Sequence, residues 1–169
     1  MGINTDKIYQ YKQGDELFTP INAVIPLLKY IPKNARVWEC AEKESLDGNI
    51  TNELRNSNID VIPTSIYKNV NFLDCDIPKK ITHIITNPPF SLKNEFIKRC
   101  YEIGTPFALL LPTNTIDTKY RFDFYKKYGL EILLFNKRIN YIGSKNAPPF
   151  ASAWFCWNIL PERLVFEEI

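Results

Sequence analysis

The sequence predicts an α/β domain, a single doubly wound, mostly parallel sheet flanked by helices, with an antiparallel last strand. Three observations point there. Short apolar runs alternate with stretches whose apolar residues recur at helical spacing. The run Phe107-Ala108-Leu109-Leu110-Leu111 is apolar at every position, as a strand covered on both faces requires. The aromatic run at residues 152–159 follows a connection after Phe135 that holds no convincing helix, so it returns antiparallel to its neighbour.

Residues 1–14 read as a polar lead-in ending at Gly14, and residues 15–169 as the folded domain. Thr19-Pro20 supplies an N-cap and a proline at the first helical position, and Ile21, Val24, Ile25 and Leu28 form the apolar face of that helix. Arg36-Val37-Trp38-Glu39-Cys40 is a first buried strand, residues 49–55 a short helix, and Asp60-Val61-Ile62 a second strand. Val70-Asn71-Phe72 is read as a third strand and residues 81–86 as a fourth. Leu92, Phe96, Ile97 and Cys100 make the stripe of a helix stopping near Gly104. After the Phe107 run, residues 120–128 form a helix closed by Gly129, and Glu131-Ile132-Leu133-Leu134-Phe135 another strand. Ligands in such sheets bind outside the carboxyl ends of the strands, where Glu39, Asp74 and Asn87 all fall.

A chain of 169 residues, 45% of them hydrophobic, is one domain with ample material for a core. The net charge of +2 does not by itself indicate nucleic-acid binding. Lys119, Arg121, Lys126, Lys127, Lys137, Arg138 and Lys145 concentrate positive charge in the C-terminal half, as solvated faces or as a phosphate-contacting surface. The four cysteines form no CxxC pair and His83 is the sole imidazole, so neither a zinc site nor a disulfide framework is expected. The compartment reads as reducing and cytoplasmic, with no signal-peptide or membrane-span pattern.

Chemistry concentrates in Asn87-Pro88-Pro89-Phe90, directly behind one strand and ahead of one helix. Two prolines fix two φ angles and remove two backbone donors, so the turn is stiff and its carbonyls stay unpaired. Asn87 offers a side-chain acceptor, Pro88 a backbone acceptor, and Phe90 an aromatic face. That set suits an exocyclic amine on a flat base.

This tetrapeptide after a buried strand resembles the motif of S-adenosylmethionine-dependent methyltransferases acting on adenine-N6 of DNA, above all the short phage-type enzymes. Phe18-Thr19-Pro20, Val37-Trp38-Glu39-Cys40, Asn71-Phe72-Leu73-Asp74, residues 107–112 and residues 149–157 fall in the family's order, so the likeness runs nearly end to end. The resemblance implies a Rossmann-like methyltransferase domain over residues 15–169, without a separate target-recognition domain, binding S-adenosylmethionine and DNA. By resemblance, Asn87, Pro88, Pro89 and Phe90 hold and stack the base. Phe18, Thr19, Pro20, Glu39, Cys40, Ser65 and Asp74 fall to the cofactor, and Lys137, Arg138 and Tyr141 to the substrate. Asp74 equally fits a surface acid beside Asp76, and a helix cap accounts for Thr19 alone. His83 is either a strand residue with a satisfied ring or a group of interest near Asn87.

Two departures stand out. The loop after the first strand, Cys40-Ala41-Glu42-Lys43-Glu44-Ser45-Leu46-Asp47-Gly48, has its only glycine late, where the family has a glycine-rich turn. The second strand ends in Thr64-Ser65 instead of an acid for the ribose hydroxyls. The alternative reading is therefore a non-catalytic pseudo-methyltransferase that binds nucleic acid or a host protein. The same chemistry on RNA or on a protein glutamine is a third. With no separate reading domain, sequence specificity calls for a partner chain or a homo-oligomer, or is relaxed.

Overall fold

The computed structural model describes residues 17–142 and 149–169; the polar lead-in at residues 1–14 and Lys145 lie outside them. Seven strands form one sheet in the order β2-β1-β3-β4-β6-β5-β7. They are β1 (Arg36–Glu39), β2 (Asp60–Pro63), β3 (His83–Thr86), β4 (Phe107–Pro112), β5 (Glu131–Phe135), β6 (Ser152–Trp157) and β7 (Leu164–Glu167). The helices are α1 (Ile21–Leu28), α2 (Asn49–Asn56), α3 (Lys93–Ile103) and α4 (Lys119–Tyr128). β6 is antiparallel to both β4 and β5, and every other pairing is parallel. The antiparallel strand is thus the sixth in the chain, and β7 follows it to pair with β5.

Strand alternation divides the core into two layers. Val37, Ile85, Ala108, Leu110 and Trp154 face α1 and α2, where Ala23, Val24, Leu27, Ile50 and Leu54 are buried. Trp38, Ile84, Phe107, Leu109 and Phe155 face α3, whose Phe96, Ile97 and Cys100 are buried against them. Tyr101 continues that layer onto α4 by stacking on Phe124 and Tyr128. Trp154, fully buried, also donates from Nε1 to the Ala23 carbonyl at 2.8 Å and so anchors α1 to the sheet.

Three expectations about elements need correction. Residues 70–72 form no strand. Asn71 accepts the Leu73 N–H on its side chain at 3.1 Å, and its carbonyl accepts the Cys75 N–H at 2.9 Å, so the backbone turns there. Phe72 supplies the apolar signal by burial against Trp38 and Phe96 instead. The first helix begins one residue later than expected, with Pro20 in extended backbone as its N-cap and no capping side chain. Its buried face is Ala23, Val24 and Leu27, whereas Ile21 and Ile25 are 46% and 49% exposed.

Candidate active site

Following β1, the chain moves outward to β2 and then returns to the other side of β1 as β3. The carboxyl ends of β1 and β3 therefore flank the point where strand order reverses, the place where open α/β sheets leave a crevice. A cavity of ≈ 240 Å³ lies there, lined in part by Phe18, Thr19, Glu39, Glu42, Asn49, Tyr67, Asn87 and Pro89. Pockets for small ligands run from about 300 to 1,000 Å³, so this one is narrow.

Asn87 leaves β3 into the cavity wall. Its Nδ2 donates to the Leu17 carbonyl at 2.7 Å, and its Oδ1 is buried without a partner. A buried acceptor left unsatisfied costs about 1–3 kcal/mol unless something donates to it, so the site is complementary to an N–H or O–H group. Pro88 and Pro89 are buried, and Pro89 lines the cavity. Phe90 is half-buried, held edge-on by Tyr141 at 6.2 Å and Phe150 at 5.6 Å between ring centres.

The part of the lining that comes from β1 and the loop after it is acidic. Glu39, the last residue of β1, accepts from Thr86 Oγ1 at 2.5 Å and from the Ala41 N–H at 2.9 Å, both on Oε1. Burial, and then the charge of Glu42, push its carboxyl well above the usual range, against the pull of those two bonds. Glu42 accepts the Lys43 N–H on Oε1 at 2.8 Å and the Thr51 hydroxyl on Oε2. Lys43, the one cation on the lining among the described residues, is turned to Asp47 at 3.0 Å. Among the described residues no group of three or more His, Cys, Asp or Glu is placed to hold a metal ion.

The segment before α1 closes the third side through three backbone carbonyls. Leu17 accepts from Asn87, Phe18 from the Ile142 N–H at 3.0 Å, and Thr19 from Asn49 Nδ2 at 2.8 Å. Phe18 and Thr19 thus reach the cavity, while Pro20 sits behind them as the helix cap. The other residues expected at the site lie elsewhere. Cys40 is buried in the core beside Trp38. Ser65 is fully buried and spends its hydroxyl on the Tyr67 N–H at 3.2 Å, so the cavity meets Ile66 and Tyr67 in its place. Asp74 is exposed, accepts from Asn71 Nδ2 at 3.0 Å and does not line the cavity. Tyr141 is buried with its hydroxyl donating to Ser152 at 2.8 Å, so it supports Phe90 from behind. Lys137 and Arg138 are exposed just beyond β5, whose direction matches that of β3 and puts them on the same edge of the sheet as Asn87. His83 starts β3 at the opposite edge, where Thr82 Oγ1 lies 2.8 Å from its ring, so it is no partner of Asn87.

Glu42, Asn49 and Tyr67 are among the lining residues that sequence reading missed. Only Glu42 left a signal, as an acid in a loop where small residues were expected.

No protein-family model matches the chain, and no curated protein matches it by sequence. Among solved structures it is similar to a protein from Listeria monocytogenes assigned as a class I S-adenosylmethionine-dependent methyltransferase. That match has a TM-score of 0.62 at 14% identity, over 94% of this chain and 67% of the other. A looser match, with a TM-score of 0.47 at 10% identity, covers 98% of this chain and 49% of a modification subunit assigned to a type I restriction enzyme of Vibrio vulnificus. The first likeness shows that the chain has the class I methyltransferase fold.

Proposed function

We propose that this protein transfers a methyl group from S-adenosylmethionine to the exocyclic amine, N6, of adenine in DNA. One observation carries the reading: Asn87, whose buried Oδ1 has no partner, lines an acidic cavity at the switch point of a class I methyltransferase fold. The donor set fits the cofactor, because Glu39 and Glu42 face a ligand that carries a sulfonium and an ammonium, and Phe18 and Tyr67 offer aromatic surface for its base. When bound, that cofactor supplies an electrophilic methyl group.

Asn87 Oδ1 and the Pro88 carbonyl accept the two N–H hydrogens of the adenine amine. This holds the nitrogen lone pair out of the ring and aims it at the methyl carbon. With cofactor bound, its methyl carbon would be the electrophile for in-line displacement from sulfur by that nitrogen, and the surplus proton would pass to water, since neither an amide nor a peptide carbonyl is a useful base. Positioning supplies most of the acceleration, and the oriented acceptors stabilise charge developing on nitrogen. Phe90 offers its remaining surface for stacking on a base turned out of the duplex. Lys137 and Arg138 provide positive charge on the same sheet edge for the strand backbone.

Titration calorimetry with S-adenosylmethionine tests the first half. Saturable micromolar binding supports the reading, and no binding at millimolar ligand refutes it in favour of a binding-only protein that keeps the fold. Glu42, filling space in the cofactor cradle, is the observation that favours this second reading. Labelled methyl transfer to adenine-containing DNA tests the other half; label on cytosine, or none with cofactor bound, overturns the adenine-N6 assignment.

A further inference from the structure

Glycine-poor as it is, the loop after β1 has spent its first donors on two carboxylates and a backbone carbonyl of the protein itself. Ala41 N–H goes to Glu39 Oε1 at 2.9 Å, Glu42 N–H to the Thr64 carbonyl at 3.0 Å, and Lys43 N–H to Glu42 Oε1 at 2.8 Å. Three successive N–H groups that could have cradled an anion are thus occupied. The Glu42 carboxylate also lies against Gly48, the residue before α2; a Cβ there would stand 2.3 Å from Glu42 Oε1. It takes the Thr51 hydroxyl in the first turn of α2 as well. The first turn of α2 therefore already holds a built-in carboxylate where an external one could bind. Lys43, the one cation on the lining among the described residues, is paired with Asp47, whose carboxyl its bonds to Ser45 and Lys43 hold below the usual range.

From this arrangement we infer that Glu42 is a specificity determinant of the cavity, one that bars a ligand carboxylate from the loop after β1 and selects for the ligand's cationic groups. The inference rests on the proposed function and deepens it. An adenosyl sulfonium enters with its ammonium toward Glu39 and Glu42 and its carboxylate, where it has one, turned out to solvent. A sulfonium nucleoside without the carboxylate loses nothing on binding here, whereas in a glycine-rich cradle it would lose its main anchor.

The test compares two probes by titration calorimetry, S-adenosylmethionine and decarboxylated S-adenosylmethionine, on the full chain and on Glu42→Gln. Gln keeps the shape and can still accept from Thr51 and from the Lys43 N–H, but it removes the charge. The wild-type protein is expected to bind the decarboxylated probe about tenfold more tightly, and Glu42→Gln to shift the ratio about tenfold toward the carboxylate-bearing probe, as removal of one unit charge near the ligand predicts. Any loss of folded protein scales both affinities alike and leaves the ratio readable. Glu42→Asp keeps the charge and should keep the wild-type order. A wild-type preference for S-adenosylmethionine, or a ratio that Glu42→Gln leaves within about twofold, overturns the inference while the proposed function stands. Failure of both probes to bind the wild-type protein sinks the two together.

Discussion

The Asn87 amide nitrogen donates to the Leu17 carbonyl across 2.7 Å, so a residue 70 positions earlier in the chain decides which end of that side chain is left without a bond. An amide can turn about its last torsion; here the bond to Leu17 leaves Oδ1 as the buried end without a partner. Asn87→Ala is expected to lower methyl transfer at least ~100-fold, in the range of losing one oriented electrostatic group. Cofactor affinity should change little, because the native oxygen makes no bond in the fold, while folding should lose about 1 kcal/mol with the Nδ2 bond to the Leu17 carbonyl. Asn87→Asp keeps an oxygen acceptor but sets a carboxylate against the Leu17 carbonyl, so transfer should also fall. Single-turnover transfer measured beside calorimetry separates these effects, and an Asn87→Ala protein with unimpaired transfer rules out the assigned role.

Gly48 and Glu42 should be energetically coupled. Alanine at Gly48 puts its Cβ within 2.3 Å of Glu42 Oε1, and the carboxylate is held by Thr51 and by the Lys43 N–H, so it moves only by giving up a bond. Gly48→Ala is expected to destabilise by about 1 kcal/mol, the worth of one hydrogen bond. The backbone there, at φ −65° and ψ 167°, suits alanine, so most of that loss should vanish in a Glu42→Ala background. A double-mutant cycle by chemical denaturation reads the difference directly. Additive effects would mean that the two residues do not share this space.

Cysteine labelling tests the packing of both layers. Cys40, Cys100 and Cys156 are buried, and burial raises the pKa of each thiol, so little thiolate forms at neutral pH. Cys75 is only half-buried, although burial raises its pKa too. The native protein should therefore react slowly at one thiol, and all four should react at once in denaturant. Rapid native labelling at Cys40 would mean that the β1 loop opens and that the cavity walls are not as described.

Much of the fold was legible because burial on two faces writes itself into runs such as Phe107 to Leu111 and Ser152 to Trp157. The corner at Asn87 was legible because two prolines and an amide have few other reasons to stand together after a buried strand. What misled was apolar content, both outside any periodic run and on a helical face. Phe72 is buried from a turn, and Ile21 and Ile25 are apolar yet exposed. Tyr141 and Ser65 were placed at the site by order along the chain alone, but both hydroxyls are consumed inside the protein. The β7 strand was missed because its anchoring is long-range. Glu131 accepts the N–H groups of Asn158, Ile159 and Leu160, turning the chain after β6, and Glu167 is held by Tyr30 at 2.6 Å and by Lys29.

Glu39 makes stability and binding pull in opposite directions, and pH separates them. Its carboxyl is raised in the folded protein by burial and by the neighbouring Glu42 charge. A raised acid is favoured in its protonated form by folding, so the stability linked to it is fully present below the unfolded pKa, about 4.3. It is lost as pH climbs through the higher folded value. At pH 7.5, above the unfolded pKa, burial of this carboxyl is therefore a net penalty. Glu39→Gln retains an acceptor for Thr86 Oγ1 and the Ala41 N–H while removing that penalty, and it should raise stability by about 1–3 kcal/mol at this pH. The gain should shrink as pH falls and vanish near pH ~4, where the wild-type carboxyl is protonated in both states. The same variant should weaken binding of the cationic cofactor, a trade typical of charged groups kept for function. Thermal melts across the pH range, paired with calorimetry at pH 7.5, check both. A Glu39→Gln protein that is less stable at every pH would mean that the carboxylate is compensated within the fold itself and is not held ready for a ligand.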